Sequence, residues 1–131
     1  MKGILARTLA VTLMVVALSS APAQAHERTE STRITIHASK TSVERGKKVT
    51  FDGKLKSDWS KCYSWQKVSL FKGNTKVATK TTNKSGYYKF TVKPKATKTW
   101  KVKFKGRSWG THPHAHVCLA SSSKGIKVRV R

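Results

Sequence analysis

From residue 33 onward apolar side chains recur at every second position, the period of an extended chain with one face buried, and nowhere at helical spacing. The alternation predicts seven strands. The first carries Ile34 and Ile36, the second Val49, Phe51 and Leu55, the third Val68 and Leu70, and the fourth Val77. The fifth carries Tyr88, Phe90 and Val92, the sixth Trp100, Val102 and Phe104, and the last Ile126, Val128 and Val130. Seven short strands fit an all-β, antiparallel sandwich.

Turn residues punctuate the alternation at Arg45-Gly46, Lys72-Gly73-Asn74, Asn83-Lys84-Ser85-Gly86 and Lys93-Pro94. Two connections are longer, residues 56 to 65 and 106 to 123, and each holds one of the two cysteines, Cys62 and Cys118. If strands run up and down in order, the loops after strands two, four and six share one end, so the cysteines can meet there. A lone cysteine pair in an exported chain predicts one disulfide.

Export is read from the start of the chain. Lys2 and Arg7 precede an uncharged, mostly apolar stretch from Thr8 to Leu18, and Ala23-Gln24-Ala25 presents the small residues a signal peptidase selects. Those eleven residues would rise only about 16 Å as a helix, against roughly 30 Å of bilayer hydrocarbon. The reading is a cleaved signal peptide at 1–25, a secreted chain with no membrane span, a flexible polar tail at 26–32, and one domain at 33–131. The 106 residues left after cleavage suffice for one modest core.

The runs TSVERGKKVTFDGKL, KVSLFKGNTKVATKTTNKSGYYKFTVKPKATKTWKVKF and SSKGIKVRV resemble the immunoglobulin-like domains of exported bacterial proteins, actinobacterial ones especially. Val43, Gly46, Val49, Phe51 and Gly53 match that family's opening strand pair. Val68 and Leu70 match its next strand, and Thr82, Gly86, Tyr88, Phe90 and Val92 its hairpin. The resemblance implies a seven-stranded immunoglobulin-like sandwich, with carboxypeptidase-regulatory-like or transthyretin-like sandwiches as a variant. It implies a binding or spacer role and no particular chemistry.

Charge changes the picture most. The whole chain carries +23, and the part after residue 25 keeps 26 basic and 5 acidic residues, or +21. Solubility of a small domain asks only about 2 to 8 net charges. The excess predicts an anionic partner: a teichoic-acid-like polymer, an acidic glycan, DNA or anionic lipid. The cations fall on outward strand positions, notably Lys101, Lys103 and Lys105 on the sixth strand and Lys127, Arg129 and Arg131 on the seventh. In an immunoglobulin-type arrangement these strands are antiparallel neighbours, which sets two basic rows side by side as an anion-binding face. A solvated, solubilising face is the plainer alternative.

Trp59, Tyr63, Trp65 and Trp109 lie in or beside the long loops, either as a small core on the disulfide or as a recognition surface. His112, His114 and His116 alternate in the same loop and would project to one side of an extended segment. Three imidazoles so placed suit Zn²⁺ or Cu²⁺, and cleavage would add His26 as a new N-terminus. No carboxylate stands near the histidines in sequence, and neither a bound metal nor a cofactor is expected.

Catalysis has little support. The acids Glu27, Glu30, Glu44, Asp52 and Asp58 fall on the tail, on turns or on outward strand positions, and neither a glycine-framed serine nor a phosphate-cradling loop is present. The expectation is a monomeric, non-enzymatic binding module for anionic polymers. A cationic effector acting on envelopes and a copper- or zinc-binding protein are the alternatives.

Overall fold

The computed structural model describes residues 27–131; the expected signal peptide and His26 lie outside the described residues. The described residues are all-β apart from a short 3-10 turn at Ser60–Cys62. The strands are β1 (Arg28–Glu30), β2 (Arg33–Ile34), β3 (His37–Ala38), β4 (Ser42–Val43), β5 (Val49–Lys56), β6 (Lys67–Lys72) and β7 (Thr75–Thr81). They continue as β8 (Tyr87–Val92), β9 (Lys98–Phe104), β10 (Arg107–Trp109), β11 (His116–Cys118), β12 (Ser121–Ser122) and β13 (Ile126–Val130). Among the described residues no helix is long and apolar enough to cross a membrane.

Three sheets result. In the first, β5 pairs on one edge with β2 and β3 and on the other with β8; the second runs β4-β13-β9-β6-β7, with β12 also on β9. The inward residues of the two meet in one core, in which Phe51 of the first stacks on Trp100 of the second at 5.2 Å. Val49, Phe51, Leu55, Val68, Leu70, Val102 and Val128 are essentially sealed from solvent. Burial of this apolar area is the main stabilising term.

The expected inward residues of six strands are buried or half-buried, whereas the fourth strand needs correction. Val77 is 40% exposed. The β6–β7 register pairs Leu70 with Ala78 and then Phe71 with Lys76, so Val77 is the unpaired extra residue of a bulge and its neighbour Ala78 takes the inward place.

The expectation of seven strands also changes, because the first divides into β2 and β3 and short pairings form within the segments read as loops and tail. Gly53 lies where that first run crosses β5: a Cβ there would stand 2.0 Å from the Thr35 carbonyl oxygen. The same Thr35 oxygen accepts a 2.6 Å bond from the buried Tyr88 hydroxyl.

A third, small sheet, β1-β11-β10, joins two strands of the second long connection to the amino-terminal tail. The expected flexible tail is corrected at Arg28–Glu30, which pair parallel with His116–Cys118 because β11 offers an open edge to their backbone. The disulfide joins Cys62 and Cys118 with Cα atoms 5.5 Å apart, both side chains buried. Trp65 N–H donates to Asn83 O at 3.3 Å and the Ser64 hydroxyl to Lys84 O. Loops two, four and six therefore do share one end.

Candidate anion-binding groove and aromatic loop end

Strand parity places the first candidate site. On β9, Trp100, Val102 and Phe104 point inward, which turns Lys101 and Lys103 outward, with Lys105 continuing the row just beyond the strand. The same parity turns Lys67, Ser69 and Phe71 outward on neighbouring β6. Together with Lys76 and Thr79 of β7 and Ser121 and Ser122 of β12, they line a groove of about 780 Å³. Five lysines enter it, and no acid.

The register spaces these charges. Lys103 is flanked by Ser69 on β6 and by Ser122 on β12, and Lys101 has Phe71 beside it. Like charges are thus not set directly opposite on these strands, an arrangement that would destabilise the sheet. The Lys103 ammonium lies 4.6 Å from the centre of the Phe71 ring, a cation–π contact that holds it over the groove floor. Ser69 and Thr79 share a 3.0 Å hydroxyl bond on the same floor. All five acidic residues precede Trp59, so the strands that build this face, β6, β7, β9, β12 and β13, contain none.

The expectation of two basic rows side by side is corrected. β13 pairs with β9 as Ile126↔Trp100, Lys127↔Thr99 and Val128↔Lys98. Lys127 thus faces a threonine, and Arg129 and Arg131 continue away from Lys101, Lys103 and Lys105. Both rows are outward, but they follow one another along the face; only the first lines the groove. Sequence reading missed Lys67, Lys76, Ser69, Thr79 and Phe71. The parity rule that singled out β9 would have found those on β6, whereas Lys76 depends on the bulge.

The second candidate is the loop end. Trp59 and Trp109 stack with centroids 5.4 Å apart, and His116 packs on both at 5.4 and 5.5 Å. Arg28 lies 4.5 Å and Lys61 5.5 Å from the Trp59 ring, and Arg107 5.0 Å from that of Trp109. Of the four aromatic residues singled out in the loops, Trp59 and Trp109 come together, joined by His116. Tyr63 stands apart from them, with its side chain against Gly86, whose φ of +84° and crowded Cβ position admit only glycine. Trp65 belongs to neither group and is 64% exposed. It shares a notch of about 420 Å³ with Ser60, Lys61, Ser64, Gln66, Arg107 and Trp109.

The three histidines do not line up. A turn closes from His114 N to Thr111 O and ends the extended run. His112 Nδ1 bonds Glu27 Oε1. His116 sits instead among the tryptophans, its Nδ1 buried without a hydrogen-bond partner. A carboxylate therefore does reach the histidine loop, carried there by the β1–β11 pairing, for which the sequence has no signal. Among the described residues no group of three or more His, Cys, Asp or Glu side chains is placed to hold a metal ion.

The outer face of the first sheet carries a polar cluster. The Tyr87 hydroxyl donates to Asp52 Oδ2 at 2.6 Å, and His37 Nδ1 lies 3.2 Å from Oδ1. The Tyr87 bond, with His37 and Lys89 adding to it, holds the Asp52 carboxyl below its ordinary range, and the same bond raises the Tyr87 phenol. Burial pushes the Tyr88 phenol well above its usual value. These shifts have structural causes, hydrogen bonding for Asp52 and Tyr87 and burial for Tyr88.

No protein-family model matches the chain, and no curated protein matches it either.

Proposed function

We propose that this chain is an exported, non-enzymatic binding module that holds anionic polymers along the groove of its larger sheet. The observation that carries the reading is the groove itself, with five lysines spaced by hydroxyls and an aromatic floor and no acid to neutralise them. Such a surface binds by charge density and counterion release, which makes affinity fall steeply with salt. Export is supported by the buried disulfide and by the amino-terminal pattern of charge, apolar stretch and small residues. An immunoglobulin-like topology is supported by the strand order, in which β2, β3, β5 and β8 face β4-β13-β9-β6-β7 and β4 runs parallel to β13.

The test is retention of the protein on heparin, teichoic-acid and DNA resins over a salt series. Retention above physiological salt on at least one resin is expected, and Lys101→Glu with Lys103→Glu should weaken it more than Lys40→Glu with Lys47→Glu. Elution from all three below physiological salt would remove the proposal.

A further inference from the structure

Trp65 is the residue least explained by folding. Its φ is 57°, the left-handed region that a bulky side chain rarely enters, and it is the sole non-glycine residue with positive φ among the described residues. The surrounding loop holds it there. Buried Thr82 donates from its hydroxyl to Tyr63 O at 2.6 Å, accepts from Gln66 N at 2.8 Å, and donates its own N–H to Gln66 O at 2.7 Å. Gln66 Nε2 adds a 2.9 Å bond to Ser64 O. Both sides of Trp65 are thus pinned while its ring stays largely in solvent, and strain over-determined in this way gathers at functional positions.

The surface around it is continuous with the groove. Lys105 and Ala120, at the end of the groove, also line a shallow depression with Gly106 and Arg107, and Arg107 in turn lines the Trp65 notch. One acid-free track therefore runs from Lys76 past Lys101, Lys103 and Lys105 to Arg107, Lys61 and the exposed indole.

We infer that this track takes an acidic glycan, with the lysines on its carboxylates or sulfates and Trp65 stacked against one sugar ring. The inference rests on the proposed function and names the ligand class. A charged polymer without rings would use the lysines and leave the indole idle. A nucleic acid carries a base at every unit and calls for a series of open rings. Here Phe71 is covered by Lys103, and Trp59, Trp109 and His116 are stacked on one another. One open ring at the end of a track whose groove carries the hydroxyls of Ser69, Thr79 and Ser122 suits a polyhydroxylated chain.

The test compares Trp65→Gly, which the left-handed backbone accepts without strain, with the parent protein on four probes: a heparin oligosaccharide, an oligogalacturonate, linear polyphosphate and a thymidine oligonucleotide. Thermal melting checks that the variant is folded. The glycans should bind about five- to tenfold more weakly, the scale of one aromatic contact, while polyphosphate changes less than twofold, and Trp65→Tyr should restore most of the loss. Unchanged glycan affinity, or an equal loss on polyphosphate, overturns the inference and leaves the charge-based function standing. A larger loss on the oligonucleotide than on either glycan also overturns it. A parent protein that binds none of the four at physiological salt brings down the function with it.

Discussion

Removing the groove lysines of β9 and its end should flatten the salt dependence of binding, and the structure says by how much. A flexible single-stranded polyanion contributes a slope of about 0.7 in log affinity against log salt for each charge neutralised. Five groove lysines then give a slope near −3.5, so affinity falls on the order of 100-fold between 50 and 200 mM salt. Replacing Lys101, Lys103 and Lys105 by Ala leaves Lys67 and Lys76, for a slope near −1.4 and a fall of about 7-fold over the same range. Replacing Lys127, Arg129 and Arg131 by Ala removes the same net charge from the same face, but outside the groove, and should leave most of the slope intact. The assay is fluorescence titration with labelled polyphosphate at four salt concentrations. Lys103 also contacts Phe71, at a cost of about 1 kcal/mol at such a half-buried site, so thermal midpoints are compared first. Equal slopes for the two triple variants would refute the reasoning, since binding would then follow net charge and not the groove.

Two further predictions concern the fold. Replacing Cys62 and Cys118 together by Ala opens a link across 56 residues and should cost about 4 kcal/mol, read from the urea midpoint; a loss below about 1 kcal/mol would show that the bridge constrains little. Asp52, held below its ordinary carboxyl range in the folded chain, contributes stability at neutral pH that is lost as pH falls through its folded value. Its partial exposure keeps that contribution below about 1 kcal/mol, so Asp52→Asn should flatten the acid limb of a urea-midpoint profile slightly, and an unchanged limb would refute the assignment.

The main sheets were legible because their signal is parity, and parity follows from burial. Val49, Phe51, Val68, Leu70, Tyr88, Phe90, Trp100, Val102 and Val128 each announce a buried face. Val77 misled because a bulge spends one residue without changing the pattern's composition. The small sheet was illegible for a different reason: β1, β10 and β11 pair through backbone groups of mostly polar residues, and backbone bonding leaves no mark in side-chain alternation. The meeting of Glu27 with His112 follows from that pairing, so it too was hidden. Of the site, the β9 lysines were readable, while their partition from the β13 cations depended on register.

That register comes from one extra residue. β12 pairs with β9 as Ser121↔Phe104 and Ser122↔Lys103, and β13 resumes as Ile126↔Trp100. Three residues, Ser123, Lys124 and Gly125, thus stand against two, Val102 and Lys101. Ser123 anchors the irregularity: its N–H donates to Val102 O and its hydroxyl accepts from Val102 N, both at 2.9 Å. Gly125 leaves room for the Thr99 methyl and the Lys101 stem, since a Cβ there would stand 2.7 Å from the first and 3.3 Å from the second. Because a shift of one residue exchanges the two faces of a strand, continuing the β12 register would turn Ile126 and Val128 outward and Lys127 and Arg129 into the core. The added residue restores the apolar face, lets Ser122 stand beside Lys103, and carries the second basic row beyond Lys101. Charge concentrated on one sheet face is thereby kept compatible with a closed core, and the five groove lysines are left without competing cations beside them on β13.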